Sequence, residues 1–287
     1  MRQATAFCPG HITGFFQICR HENVLETGSR GAGFCVRLGA QSRVVLKEGV
    51  GKVEVKINGA RAKAHVTERA VRHLLGEERL DVDVFTTLQL PVSQGFGMSA
   101  AGALSSAMAL TELLGLGEEE AYTAAHIAEV ESGTGLGDVA ALQCTGVTYR
   151  KREGLPPFGE VQRIPGDFDM VLARVGPSID TSSVILDPNR SAVINRAGEE
   201  CLERFAKKKD LYNLLDLAVD FTASSGLLTE RVRKALVSID GLGLGSMCMV
   251  GNSIFAAGPD LDGLDRQLRR FGLTFRTSVD LEGARLL

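Results

Sequence analysis

Pro91-Val92-Ser93-Gln94-Gly95-Phe96-Gly97-Met98-Ser99-Ala100-Ala101-Gly102 sits between two segments of opposite character. Before it, Val82–Leu90 is apolar and β-branched, the pattern of a strand. After it, Ala100–Leu114 is built from small and apolar residues, which predicts a buried helix. The sequence therefore sets a glycine-rich turn at the mouth of a helix. The first N–H groups of a helix lack internal partners and the helix dipole is positive there, so such a turn favours an anion. Gly95 and Gly97 let a phosphate approach the backbone, and the Ser99 hydroxyl stands where it can reach a phosphate oxygen or a metal. Read alone, the stretch also suits an ordinary strand-to-helix turn.

Working outward, the chain has 287 residues, enough for one large or two closely packed domains with an ample core. Its 44% hydrophobic and 23% charged residues are those of a soluble globular protein. A net charge of −3 argues against a general nucleic-acid binder, and Lys207-Lys208-Lys209 reads as a solvated helix end. The six cysteines are scattered, without a C-x-x-C pair, which disfavours structural zinc and suits reduced core thiols. No export signal opens the sequence and no apolar run reaches membrane length, so a cytoplasmic protein without a membrane partner is expected.

In chain order, Ala4–Cys8 predicts a short strand ended by Pro9-Gly10. Glu26-Thr27-Gly28-Ser29-Arg30-Gly31-Ala32-Gly33 is too rich in glycine for a helix and reads as a loop before a strand at Phe34–Leu38. Ser29 and Arg30 in such a loop could hold a carboxylate or phosphate, or Arg30 could simply be solvated. Val44–Leu46 and Val53–Ile57 alternate as strands, and Asn58-Gly59 signals a turn. Thr67–Gly76 reads as a capped amphipathic helix. Glu118–Glu131 is a second helical segment, on which His126 and Glu129 share a face. It runs into Ser132-Gly-Thr-Gly-Leu-Gly-Asp138, a glycine loop. Glu129 and Asp138 could together hold a metal and abstract a proton, although either alone also suits a solvated or loop-capping role. Val139–Lys151 is strand-like, and Leu155-Pro156-Pro157 is the expected domain boundary, giving residues 1–155 and 156–287. Beyond it come a strand at Asp169–Val175, a hydroxyl-rich turn with Thr181, and helices at Asn189–Lys208, Leu211–Ser224 and Thr229–Ser238. A hairpin through Gly251-Asn252-Ser253, a helix at Leu261–Arg270 and a strand at Thr274–Val279 follow.

Two familiar phosphate loops do not fit. The G-x-x-x-x-G-K-[ST] loop needs a lysine that is absent. The dinucleotide fingerprint fits Gly95-x-Gly97-x-x-Ala100, but its fold needs a strand after the helix, where another helix is predicted.

The stretch from Pro91 to Ala101 resembles the P-x-x-x-G-L-G-S-S-A-A motif of the GHMP kinases, which include galactokinase, homoserine kinase, mevalonate kinase and phosphomevalonate kinase. Pro9-Gly10-His11-Ile12 is similar to their first motif and Gly241–Phe255 to their third. Within that superfamily, Cys8–Phe16, Glu26–Gly33, Ala125–Val139 and Met249–Phe255 resemble the archaeal pantoate kinases. Three positions depart from the wider pattern: His11 replaces a lysine of the mevalonate kinases, Met98 replaces the motif's first serine, and Gly251-Asn252-Ser253 replaces a run of glycines.

The resemblance implies an α+β fold of two domains with the active site in the cleft between them, and possession of ATP and Mg²⁺. It places ATP on Pro91, Ser93, Gly95, Gly97, Met98, Ser99 and Ala100, and Mg²⁺ on Ser99 and Glu129, with Glu131 as an alternative to Glu129. Asp138 becomes the base. The acceptor it implies is pantoate, bound by Arg150 first and by Ser29, Arg30, His126 and Thr181 second. Phosphorylation would then yield 4-phosphopantoate on the way to coenzyme A. Homoserine, shikimate and mevalonate are the alternative acceptors, and a non-catalytic nucleotide sensor is the alternative of another class. A homodimer is the implied assembly.

Overall fold

The computed structural model describes residues 1–287. β1 (Arg2–Cys19) and β2 (Gly28–Glu48) pair along almost their whole length and form the spine of an 8-stranded sheet. Both are longer than the sequence pattern suggests. At Pro9-Gly10 the strand does not end but passes through a bulge, because glycine fits where a Cβ would meet Leu38 O, Phe96 O and the Met98 side chain at 2.9 Å. The segment expected as a glycine-rich loop is likewise strand from Gly28 onward. Gly31 and Gly33 lie so close to β1 that a Cβ on either would stand 2.2 Å from a backbone oxygen. The glycines there permit close approach instead of a turn.

β3 (Val53–Ile57) and β4 (Ala60–Arg61) form the hairpin expected at Asn58-Gly59, whose φ values of 49° and 83° suit a turn of the primed type. α1 (His65–Leu75) starts two residues before Thr67 and has no side-chain cap, so Thr67 is buried inside it. β5 (Leu80–Leu88) adds to β2 and pairs in parallel with β3. α2 (Met98–Leu114) carries the glycine-rich turn at its start. It is buried on nearly every side, as its small residues imply, and lies on β1 and β2 between α1 and α3 (Glu118–Ser132). Its buried Ser105 and Ser106 are satisfied by Ser42, and by the carbonyl of Gly102.

Residues after the second glycine loop form α4 (Asp138–Ala141) and only then β6 (Val147–Arg152), where one continuous strand was expected. A short apolar run such as Val139–Leu142 suits a buried helical turn as well as a strand. β6 pairs with β2 and with β7 (Glu160–Ile164), so the Pro156–Pro157 turn lies inside the first sheet and the 155/156 division passes through this antiparallel pair. β8 (Asp169–Arg174) opens a second, 4-stranded sheet. α5 (Ser182–Ile185), α6 (Pro188–Lys207), α7 (Leu211–Ser224) and α8 (Glu230–Val237) follow. Asp187, Asp210 and Thr229 cap the last three through their side chains. β9 (Leu244–Met247), β10 (Ser253–Ala257) and, after α9 (Leu261–Leu268), β11 (Leu273–Ser278) complete the second sheet in the order β11-β8-β10-β9. β12 (Arg285–Leu286) returns to β1.

One continuous core joins the sheets. Phe34 of β2 meets Phe255 of β10 and Phe168 edge-on, each with ring centroids 5.1 Å apart. The turn between β9 and β10 lies against the glycine-rich loop: a Cβ on Gly95 would stand 2.6 Å from Met249 O, and one on Gly251 2.1 Å from Gln94 O. The structure thus fixes the loop from both sheets. No helix is long and apolar enough to cross a membrane, and all six cysteines are free.

Candidate active site

A cleft of about 810 Å³ opens in front of the glycine-rich loop. Its walls come from β1, β2, the β3–β4 turn, α1, the two glycine loops and β6 on one side. Arg174, Ser178, Asp180, Thr181, Met249 and Val250 supply the other side.

Gly97 caps α2 in the left-handed conformation, and the first helical bond runs from Ala101 N–H to Gly97 C=O. The N–H groups of residues 98–100 therefore have no acceptor within the helix. Pro91, Ser93, Gly95, Gly97, Met98 and Ser99 all line the cleft, whereas Ala100 is buried in the first turn and does not. The substitution of serine by Met98 has a packing reason, since its side chain lies where a Cβ on Gly10 would be. Ser93, at φ 56°, and Val250, at φ 60°, both line the cleft in a conformation that non-glycine residues rarely adopt.

Glu129, at the end of α3, and Asp138, at the start of α4, face the same cleft. The turn between them is shaped to the glutamate: a Cβ on Gly135 would stand 2.2 Å from Oε1. Glu129 is buried and accepts one long hydrogen bond, 3.4 Å, from Val139 N–H. Burial first, then the Asp138 charge, push its carboxyl well above the usual carboxylate range; Val139 and the Arg150 guanidinium oppose this. Glu131 points elsewhere, half-exposed and paired with Arg69 at 2.6 Å, so only Glu129 belongs to the cleft. Asp138 is 28% exposed through its side chain, and its Oδ1 lies 2.9 Å from His11 Nδ1.

Arg150 on β6 is 1% exposed, the largest fully buried side chain, and lines the cleft. Its Nε donates to Ser29 O at 3.3 Å and its Nη2 to Thr13 Oγ1 at 3.4 Å, both long, while its buried Nη1 has no partner. Burial lowers its pKa, against the charges of Asp138 and Glu129. Gly137 gives the guanidinium room, since a Cβ there would stand 2.9 Å from its Nε and 2.2 Å from Ser29 Oγ.

The secondary residues divide. Ser29 and Thr181 line the cleft. Arg30 does not, because successive strand residues face opposite sides. It donates to Gln17 and lies 4.0 Å from Glu153 on the outside. His126 also lies outside the cleft, buried one helical turn from Glu129 with Nε2 3.2 Å from Val24 O. Burial lowers its pKa. Residues missed from the sequence include Thr13, Gln94, Lys63 and Arg174, which line the cleft, and His11 in its buried role. Lys63 and Arg174 lie in no motif, and Thr13 and Gln94 lie within motif segments that single out neither residue, whereas His11 in place of a lysine leaves open at the level of sequence whether that position contacts a phosphate. Its ring is wholly covered, so it cannot touch one.

The donor set suits a hard cation: Ser99 offers a hydroxyl and Glu129 a buried carboxylate whose charge lacks full compensation. The arrangement can hold an anion on the loop and a cation beside it, and it presents a second carboxylate, Asp138, to the same cleft.

Residues 64–146 match the family described as GHMP kinases N terminal domain. A pantoate kinase of Methanocaldococcus jannaschii is 36% identical over 251 residues, covering 87% of this chain and 90% of its own. A pantoate kinase of Methanospirillum hungatei is 30% identical over 302 residues, covering 100% and 97%. Among solved structures, a phosphotransferase related to the CoA biosynthesis pathway superposes with a TM-score of 0.90 at 26% identity, covering 100% of this chain and 99% of that one.

Proposed function

This chain belongs to the pantoate kinase family of the GHMP kinases, and from that premise we propose that it transfers the γ-phosphoryl group of ATP to the 4-hydroxyl of pantoate. The products are ADP and 4-phosphopantoate, a step toward coenzyme A. Within the hydroxy-carboxylates, the pantoate kinase relatives favour pantoate. One observation supports an acceptor of that class: a buried guanidinium with an unpartnered N–H lines the same cleft as Asp138. A hydroxy-carboxylate satisfies it, and an acceptor without a carboxylate leaves it orphaned at a cost of roughly 1–3 kcal/mol.

The residues divide the work as follows. The loop from Pro91 to Ser99 and the free N–H groups at the start of α2 hold the triphosphate. Ser99 and Glu129 hold Mg²⁺, which when bound neutralises phosphate charge. Arg150, flanked by Thr13 and Ser29, grips the pantoate carboxylate, and Thr181 closes on it from the opposite wall. Asp138 orients the 4-hydroxyl and takes its proton as the oxygen bonds to phosphorus and the bond to the leaving ADP oxygen breaks. Phosphoryl transfer asks chiefly for positioning and charge neutralisation, which this set supplies.

We assign the two lobes to the first sheet with its helices and the second sheet with its own, the cleft lying between. Six unpaired cysteines suit a reducing cytoplasm, and a homodimer is the assembly we expect. Incubation of the protein with ATP, Mg²⁺ and each of pantoate, homoserine, shikimate and mevalonate, followed by ADP release, tests the reading. Pantoate should be the best acceptor; turnover of another acceptor with none on pantoate would overturn it.

A further inference from the structure

His11 lies on β1 directly behind the carboxylate of Asp138. Its side chain is fully covered, and both ring nitrogens are engaged: Nδ1 with Asp138 Oδ1 at 2.9 Å and Nε2 with Thr148 Oγ1 at 3.2 Å. A carboxylate only accepts, so Nδ1 carries the hydrogen. The threonine hydroxyl can either donate to Nε2, leaving the ring neutral, or accept from it, leaving the ring an imidazolium. Two groups bear on the choice. Asp138 favours the cation, whereas burial and the nearby Arg150 guanidinium oppose it, and burial is the largest influence, so the pKa falls. Thr148 has no other side-chain partner and is itself fully buried, so its hydroxyl is free to donate inward.

The surroundings are cut to this ring. A Cβ on Gly33 would stand 2.9 Å from Nε2 and 3.0 Å from Cε1, so any other residue there would displace it. The same residue also meets the phosphate loop: His11 N–H donates to Phe96 O at 3.2 Å, and a Cβ on Gly97 would stand 2.9 Å from His11 N. One residue therefore touches the loop through its backbone and the base through its ring. Asp138 Oδ1 is occupied by that ring, and Oδ2 receives no hydrogen bond from the protein.

We propose that His11 is a neutral positioning residue, its tautomer set by Thr148, whose Nδ1–H ties down Oδ1 of Asp138 and leaves Oδ2 as the oxygen that receives the proton of the acceptor hydroxyl. It moves no proton itself. It removes the freedom of the carboxylate to rotate and registers it against the loop that carries the phosphates. The inference rests on Asp138 being the base. It gives the histidine that stands in place of a lysine a role other than charge.

Two measurements test it. In the wild-type protein, ¹⁵N shifts of the His11 ring at pH 7 should show the neutral Nδ1–H tautomer; an imidazolium or an Nε2–H tautomer would overturn the proposal whatever the acceptor proves to be. In kinetics, His11→Ala should lower kcat about 10²-fold, the scale of a misplaced general base, with the KM for ATP near the wild-type value. His11→Asn, which can still offer an N–H to Asp138, should recover at least about a tenth of wild-type kcat, and Thr148→Val should fall between. Full kcat in His11→Ala, or His11→Asn no better than His11→Ala, would refute the positioning role. Failure of wild-type turnover on pantoate would instead refute the acceptor and leave the tautomer result standing.

Discussion

Replacing Arg150 by methionine removes the guanidinium while keeping a flexible apolar side chain of similar length. In the free protein this arginine is under-used: Nη1 has no partner, and the Thr13 and Ser29 contacts are 3.4 and 3.3 Å. The desolvation of the cation is therefore already incurred before substrate arrives. A carboxylate can take two charge-assisted hydrogen bonds from it. At about 1.5–3 kcal/mol each, and allowing for non-additivity, their loss should lower kcat/KM for pantoate by about 10²–10⁴-fold. The assay is coupled ADP release at saturating ATP with pantoate varied, run in parallel on the analogue whose carboxylate is a primary alcohol. Wild type should discriminate strongly between the two acceptors, and Arg150→Met should scarcely do so. Equal loss on both acceptors would show that Arg150 serves the charges of Glu129 and Asp138 instead of the substrate. A variant with wild-type KM for pantoate would refute the assignment outright.

Glu129→Gln should abolish Mg²⁺-supported turnover yet raise the melting temperature of the metal-free protein. The sign follows from its raised folded pKa: the fold disfavours the ionised form, so a neutral isostere that still accepts from Val139 relieves a cost present above the ordinary carboxylate pKa. A lower melting temperature in the variant would contradict this. Asp265 carries the opposite sign. Burial alone would raise its pKa, but hydrogen bonds from Arg269, Thr274 and Arg276 pull it down to about 2. Its stabilisation is present above the unfolded value of 3.8 and is lost as pH falls toward about 2. Because the arginines are partly exposed, Asp265→Asn should cost about 1–2 kcal/mol at pH 7 by denaturant titration, with the difference fading across that acid window.

Much of this was legible in the sequence because it is carried by local signals. The loop from Pro91 to Ser99, α2, α3 and the Asn58-Gly59 turn follow from glycine placement and periodicity within short windows. The grouping of Ser99, Glu129 and Asp138 comes instead from the resemblance to the GHMP kinases, and all three line the cleft. What escaped depends on contacts distant in sequence. Gly31 and Gly33 read as a loop because glycine marks both turns and close strand approach, and only the partner strand tells them apart. Arg30 and Ser29 were inseparable until β2 assigned them to opposite faces. His126 shares a helix with Glu129 but meets the β1–β2 connection one turn away. The role of His11 depends on Asp138 and Thr148, 127 and 137 residues further along the chain.

Phosphorus NMR of the reaction products tests the central claim most directly, with wild type and Asp138→Asn run side by side on ATP, Mg²⁺ and pantoate. Wild type should give one new phosphomonoester signal, split into a triplet by the two protons on carbon 4. Asp138→Asn should give none while still binding ATP. A doublet, which marks the 2-phosphate, or an Asp138→Asn reaction at near wild-type rate, would contradict the assignment of this cleft.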